Sequence, residues 1–116
     1  MTEFYLPHEK LDAYQEARKL LACVREAGIS DSRLRDQALR AATSVCLNIA
    51  EAAGRSGAAD KARVFAIARG EACEAGAALD IALVAGHCKS EAALRGAAHS
   101  RIAYALLSGL IRRFSG

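Results

Sequence analysis

The chain has 116 residues, of which 53% are hydrophobic and 25% charged, with one Pro, no Trp and a formal net charge of +3. That length suits one domain, 1–116, able to bury a core without disulfide or metal staples. The mild charge lacks the dense basic footprint of a strong nonspecific nucleic-acid binder. Ala makes up about a quarter of the residues and no Pro follows Pro7, which excludes a strand-rich fold and favours helices.

Residues 1–9 read as an arm, with Pro7 placed where the start of a helix tolerates it. The first predicted helix covers about 9–27, with Leu11, Tyr14, Ala17, Leu21 and Val24 recurring at helical steps. Gly28 is placed to end it, and Ser30, Asp31 and Ser32 are candidate N-caps for the next. The second helix covers about 33–53, lined by Leu34, Ala38, Ala41, Val45, Ile49 and Ala52, with Leu39, Ala42, Cys46 and Ala50 beside them. Its short link to the third helix, at about 59–85, predicts antiparallel packing.

In that third helix Phe65, Ala68, Ala72, Ala75, Leu79, Ala82 and Gly86 form a seam of mainly small residues. Its only charges from Val64 to Gly86 are Arg69, Glu71, Glu74 and Asp80. The fourth helix covers about 91–114, with Ser90 as N-cap. Leu94, Ala98, Ile102, Leu106 and Leu110 are its expected core stripe, flanked by Ala103, Leu107 and Ile111. Arg112 and Arg113 end it, where cations suit the helix dipole. The expected fold is an all-α, antiparallel, up-down-up-down four-helix bundle.

A bundle helix normally keeps one face wet, and the third helix has too few charges to do so. A homo-oligomer of closed rotational symmetry is therefore expected. Cys23, Cys46, Cys73 and Cys88 show no CxxC spacing and read as small hydrophobes. With no secretory signal at Met1-Thr2-Glu3-Phe4, the expected setting is cytoplasmic. The apolar run 75–86 is too short and too charged to span a membrane.

Asn48 and Glu51 stand inside the apolar pattern of the second helix and call for partners. An antiparallel register places Glu51 near Arg63, Ser44 near Arg69 and Arg40 near Glu74. Arg40, Ser44, Asn48, Glu51, Arg69 and Glu74 are thus expected to form a structural polar network, with Glu51 alternatively paired to Arg55. A second cluster, Arg33, Arg35, Arg40, Arg55, Lys61 and Arg63, is the candidate nucleic-acid surface.

Catalysis is not expected. No oriented base and nucleophile accompany Glu71 and Glu74, and no Glu is followed by His three residues on, as di-metal bundles require. His8, His87 and His99 lack metal-ligand spacing, and no phosphate loop is present, so no cofactor or metal is expected. The readings that remain are a nucleic-acid adaptor, contacting RNA or DNA, and a scaffold for another protein.

The motifs Leu11-x-x-Tyr14-x-x-Ala17, Gln37-x-x-Arg40-Ala41-Ala42-x-Ser44-Val45, Asn48-Ile49-Ala50-Glu51 and Gly54-Arg55 occur in order. Phe65-x-Ile67-Ala68-Arg69-Gly70-x-x-x-Glu74 and Leu107-x-x-Leu110-Ile111 follow. With them the chain resembles the bacterial 23S rRNA intervening-sequence proteins. The resemblance implies a four-helix protomer, a barrel-shaped homopentamer and no established enzymatic activity. It also implies likeness to the accessory variability protein of diversity-generating retroelements, which binds nucleic acid and a reverse transcriptase. Ala52 stands where the family usually has Gly, and Glu71 where it usually has Ser.

Overall fold

A computed structural model describes residues 4–116. Four helices follow one another: α1 (Asp12–Ala27), α2 (Ser32–Gly54), α3 (Ala58–Ala85) and α4 (Ser90–Phe114). Each packs against the two beside it, with α1 against α2 the slightest of the four contacts. The result is an all-α up-and-down bundle measuring 44 × 36 × 20 Å.

Local chemistry explains the helix ends. Gly28 (φ 56°) and Gly86 (φ 70°) adopt the left-handed conformation that closes α1 and α3. Gly86 therefore ends the α3 seam instead of belonging to it. Of the three candidate caps before α2, Asp31 is used, its carboxylate accepting from the Leu34 N–H at 2.9 Å. Ser90 is the first residue of α4, not its N-cap; Lys89 caps with its backbone alone. The α1–α2 and α3–α4 turns lie at one end and are pinned together, Ser30 N–H donating to His87 O and Lys89 N–H to Ala27 O, both at 2.8 Å.

α1 starts three residues later than expected because residues 6–11 form a separate turn. Glu9 accepts from the Leu6 N–H at 3.0 Å, and its carbonyl accepts from Gln15 Nε2 at 2.9 Å.

The core is Leu20, Ile29, Val45, Ile49, Val64, Phe65, Leu79 and Leu107, surrounded by Ala. In α1, Leu20 is fully buried and Leu21 only partly; Ile29 fills the core from the loop after Gly28. The α3 seam from Phe65 to Ala82 is buried as its spacing predicts.

α4 is rotated from its expected orientation. Ala92, Ala93, Gly96, Ser100, Ala103 and Leu107 face the core, whereas Leu94 (60% exposed), Ala98 and Ile102 face outward. Close approach decides this. A Cβ on Gly96 would stand 2.6 Å from Leu79 Cδ1 and 3.0 Å from Cys23 Cβ. One on Gly76 of α3 would stand 2.7 Å from Ser100 Oγ. Only small residues fit there, so the larger apolar side chains of α4 turn away.

Candidate functional site

The α2–α3 face carries the polar residues that the sequence singles out. Asn48, half-buried on α2, donates from Nδ2 to Ser44 O and Ser44 Oγ, both at 2.9 Å. Glu51 is exposed, so it is not a buried charge, and it forms an ion pair with Arg55 one turn on. Arg55 also meets Asp60 at 3.2 Å, and Asp60 meets Arg63 at 2.8 Å. The Glu51–Arg63 pair is thus replaced by Glu51–Arg55–Asp60–Arg63. The arginines hold the Asp60 carboxyl below its usual range, chiefly through the Arg63 hydrogen bond.

The antiparallel register itself is close to that expected. Lys61 of α3 reaches the carbonyls of Ala53 (2.7 Å) and Ala52 (3.5 Å) at the end of α2. Arg40 lies near enough to Glu71 for its charge to be felt there. What differs is the direction of Arg69. It turns from α2 to α4, donates to Ser108 Oγ at 3.0 Å and lies 5.3 Å from the centre of the Tyr104 ring. The pairs Ser44–Arg69 and Arg40–Glu74 are therefore not made. Glu74 instead acts on Glu71, whose carboxyl is raised by burial and by the charge and hydrogen bond of Glu74, against an opposing pull from Arg40.

The six candidate nucleic-acid residues do not form one patch. Arg33 and Arg35 start α2, about 30 Å along the helix from Arg55 at 1.5 Å per residue. Arg35 is directed to the Ile29 carbonyl at 3.3 Å. Arg40 stands between. Arg55, Lys61 and Arg63 gather at the opposite end, where the α2–α3 turn meets the end of α4. Phe114 joins them, stacked on Phe65 with ring centres 6.1 Å apart. The Lys61 ammonium and the Arg113 guanidinium lie 5.7 and 5.4 Å from its ring. Arg112 and Arg113 add two cations at this end, where Glu51 and Asp60 take up Arg55 and Arg63 and Asp12 of α1 lines the same hollow as Arg113. The sequence marks the charge of Arg112 and Arg113 at a helix terminus, but carries no sign that α2, α3 and α4 bring five cations together.

A second feature lies between α3 and α4: a groove of about 400 Å³ with walls from Ala72, Leu83, Leu94, Ala97 and Tyr104 and with Arg101 and Asp80 at its rim. It continues onto the outward side of α3, where Ile67, Ile81 and Val84 (85% exposed) stand among Ala66, Gly70, Cys73 and Ala77. Among the described residues, no group of three metal-ligating side chains lies together, and no helix is long and apolar enough to cross a membrane.

A comparison with curated proteins finds no match. The family model described as 23S rRNA-intervening sequence protein matches residues 9–107, nearly the whole of the bundle. The chain, a four-helix protein with these motifs in order, belongs to the 23S rRNA-intervening sequence protein family.

Proposed function

We propose that this protein is a non-catalytic homo-oligomeric adaptor, five copies by family resemblance, that contacts RNA or DNA through its basic ends. The observation that carries self-association is the outward side of α3. Its exposed Ile67, Ile81 and Val84 stand on a helix with few charges to keep it wet. Nucleic-acid contact draws support from the basic end at Phe114, where Lys61 and Arg113 lie over the ring, because closed symmetry would repeat that end at a fixed spacing and sum its attraction for phosphates.

The test is native mass by sedimentation at several concentrations, with a salt titration of binding to structured RNA and to duplex DNA. The reading expects a mass several times that of a 12.2 kDa protomer. It also expects affinity that falls steeply with salt. A 12.2 kDa species at high concentration removes self-association. Absence of binding at low salt removes the nucleic-acid role. The same apolar side of α3 favours a second reading, a scaffold for another protein, and a monomer that co-purifies with one specific polypeptide would select it.

A further inference from the structure

Aromatic residues are few in this chain, three Phe, three Tyr and no Trp, and two of the three Tyr meet at one hollow on the surface. The hollow, of about 520 Å³, lies where the turn at residues 6–11 enters α1, and Tyr5, His8, Glu9, Tyr14, Gln15 and Arg18 line it. Its rings are not core packing. Tyr5 is 52% exposed and His8 and Tyr14 are half-buried, whereas Phe65 fills the core. They are held in place all the same. His8 meets Tyr14 edge to face with ring centres 4.5 Å apart, and the Lys10 ammonium lies 4.1 Å from the centre of the Tyr5 ring. Rings already ordered lower the cost of stacking a ligand on them.

The charge beside the rings is basic. Lys10 and Arg18 are both exposed, and among the described residues neither forms an ion pair. Glu9 is the one acid in the lining, and its Oε2 accepts from the Leu6 N–H at 3.0 Å. Gln15 is engaged at both ends of its amide, Nε2 donating to Glu9 O at 2.9 Å and Oε1 accepting from Arg18 at 3.4 Å. Stacking surfaces and two cations are thus on offer, while the amide suited to reading a base edge is used by the turn.

Place and chemistry together select the ligand. The head of α1 belongs to the basic pole, since Asp12 and Ala13 share a hollow with Arg113. A duplex hides its base faces, whereas an unpaired strand can offer them. Aromatic rings beside cations hold single strands with little sequence preference. The hollow lies on α1, which packs against α2 and α4, and so stands clear of the outward side of α3.

We infer that unpaired bases of single-stranded RNA or DNA stack in this hollow on Tyr5 and Tyr14, with Lys10 and Arg18 meeting the adjoining phosphates. This rests on the nucleic-acid contact proposed above and names the form of nucleic acid that the protein takes.

Tyrosine emission tests it, because no Trp masks the signal and a base stacked on tyrosine quenches it. Short oligo(U) and oligo(dT) are titrated into the full chain at low salt, beside a DNA duplex and inorganic polyphosphate as probes of charge alone. The single strands are expected to quench the emission; the duplex and polyphosphate are expected to bind without quenching. Quenching by either single strand supports the inference, and the tighter of the two gives the sugar. Tyr5→Leu and Tyr14→Leu, each checked for native helicity, are expected to weaken single-strand binding at least about fivefold and to leave polyphosphate binding unchanged. Tyr5→Leu, at an exposed position, carries the comparison if Tyr14→Leu does not fold. Single strands that bind without quenching, or equally well to the variants, overturn the inference and leave phosphate contact standing. Variants that lose polyphosphate to the same degree also overturn it, since stacking is then not what was removed. Failure of every one of these ligands to bind removes the nucleic-acid reading itself, and this inference with it.

Discussion

His99 of α4 and Glu16 of α1 meet at 2.6 Å, Nδ1 to Oε2, with both side chains largely withdrawn from solvent. The pair links two helices whose other polar contacts come from Arg95, which meets Glu26 at 2.7 Å and donates to Cys23 Sγ at 3.9 Å. A His99→Ala change leaves the Glu16 carboxylate, 15% exposed, without that partner. Loss of a partner to a buried acceptor costs about 1–3 kcal/mol. Urea unfolding of His99→Ala should show that loss, with Glu16→Gln/His99→Ala together costing less than the sum of the two single changes.

Glu71 makes a prediction about pH. Its folded carboxyl is raised by burial and by Glu74, so the folded state holds a proton more readily than the unfolded chain. The stability this contributes is complete below the ordinary carboxyl value of 4.5 and is lost as pH rises through the folded value. Glu71→Gln, which cannot ionise, should therefore unfold at higher urea than the parent at pH 7, and the advantage should shrink at pH 4. An equal advantage at both values would mean that the charge is not what destabilises.

Glycine replacements separate close approach from helix propensity. A Cβ on Gly70 meets nothing within 4 Å. Gly70→Ala should stabilise the protomer by about 0.5–1 kcal/mol. Gly96→Ala gains the same propensity, but its new methyl collides with Leu79 and Cys23. Overpacking costs about 1–3 kcal/mol, so the net change should be destabilising. Thermal melts of the two variants should move in opposite directions.

Thiol chemistry should follow burial. Cys73 is exposed, whereas Cys23 and Cys46 are buried and their thiols are pushed up, mainly by burial. Alkylation at pH 8 should leave Cys23 and Cys46 unmodified until unfolding, and should modify Cys73, which lies on the side of α3 proposed to self-associate, faster in the dissociated protomer than in the assembly, as read by peptide mass mapping.

The basic end predicts a salt slope. Replacing Arg112 and Arg113 by Ser removes two of the cations around Phe114. If those arginines contact phosphates, the slope of log affinity against log salt should fall by roughly 2 per contacting subunit. The equivalent pair at the far end, Arg33 and Arg35 to Ser, should change it less.

Most of the fold was legible because helical spacing is a local signal. α2 and α3 bury the faces their periodicity marks, and the glycines at 28 and 86 stop helices where expected. α4 was misread because it is apolar on two sides. The choice between Leu94–Ile102 and Ala103–Leu107 is made by Gly96, Ser100 and Gly76, whose smallness matters only once α1, α3 and α4 are in contact. Matching of volumes between helices leaves no periodic trace. The candidate site was half legible for a similar reason. A tight turn fixes roughly how far along α3 each residue lies, so that Arg40 comes near Glu71, about one turn from the expected Glu74, but not its direction around the helix axis, which sent Arg69 to Ser108 and Tyr104. The His99–Glu16 pair spans 83 residues and no local pattern announces it.

The crossed bonds of Ser30 with His87 and Lys89 with Ala27 make the two turns at that end a single knot. All four helices are clasped there by main-chain bonds between the turns, while at the other pole the start of α3 is tied to the end of α4 by side chains alone, Phe65 and Lys61 against Phe114. Unzipping of the bundle should begin at that looser pole. Amide exchange should be fastest around Gly57 and Phe114 and slowest toward the knot, so the cationic pole is also the one free to breathe.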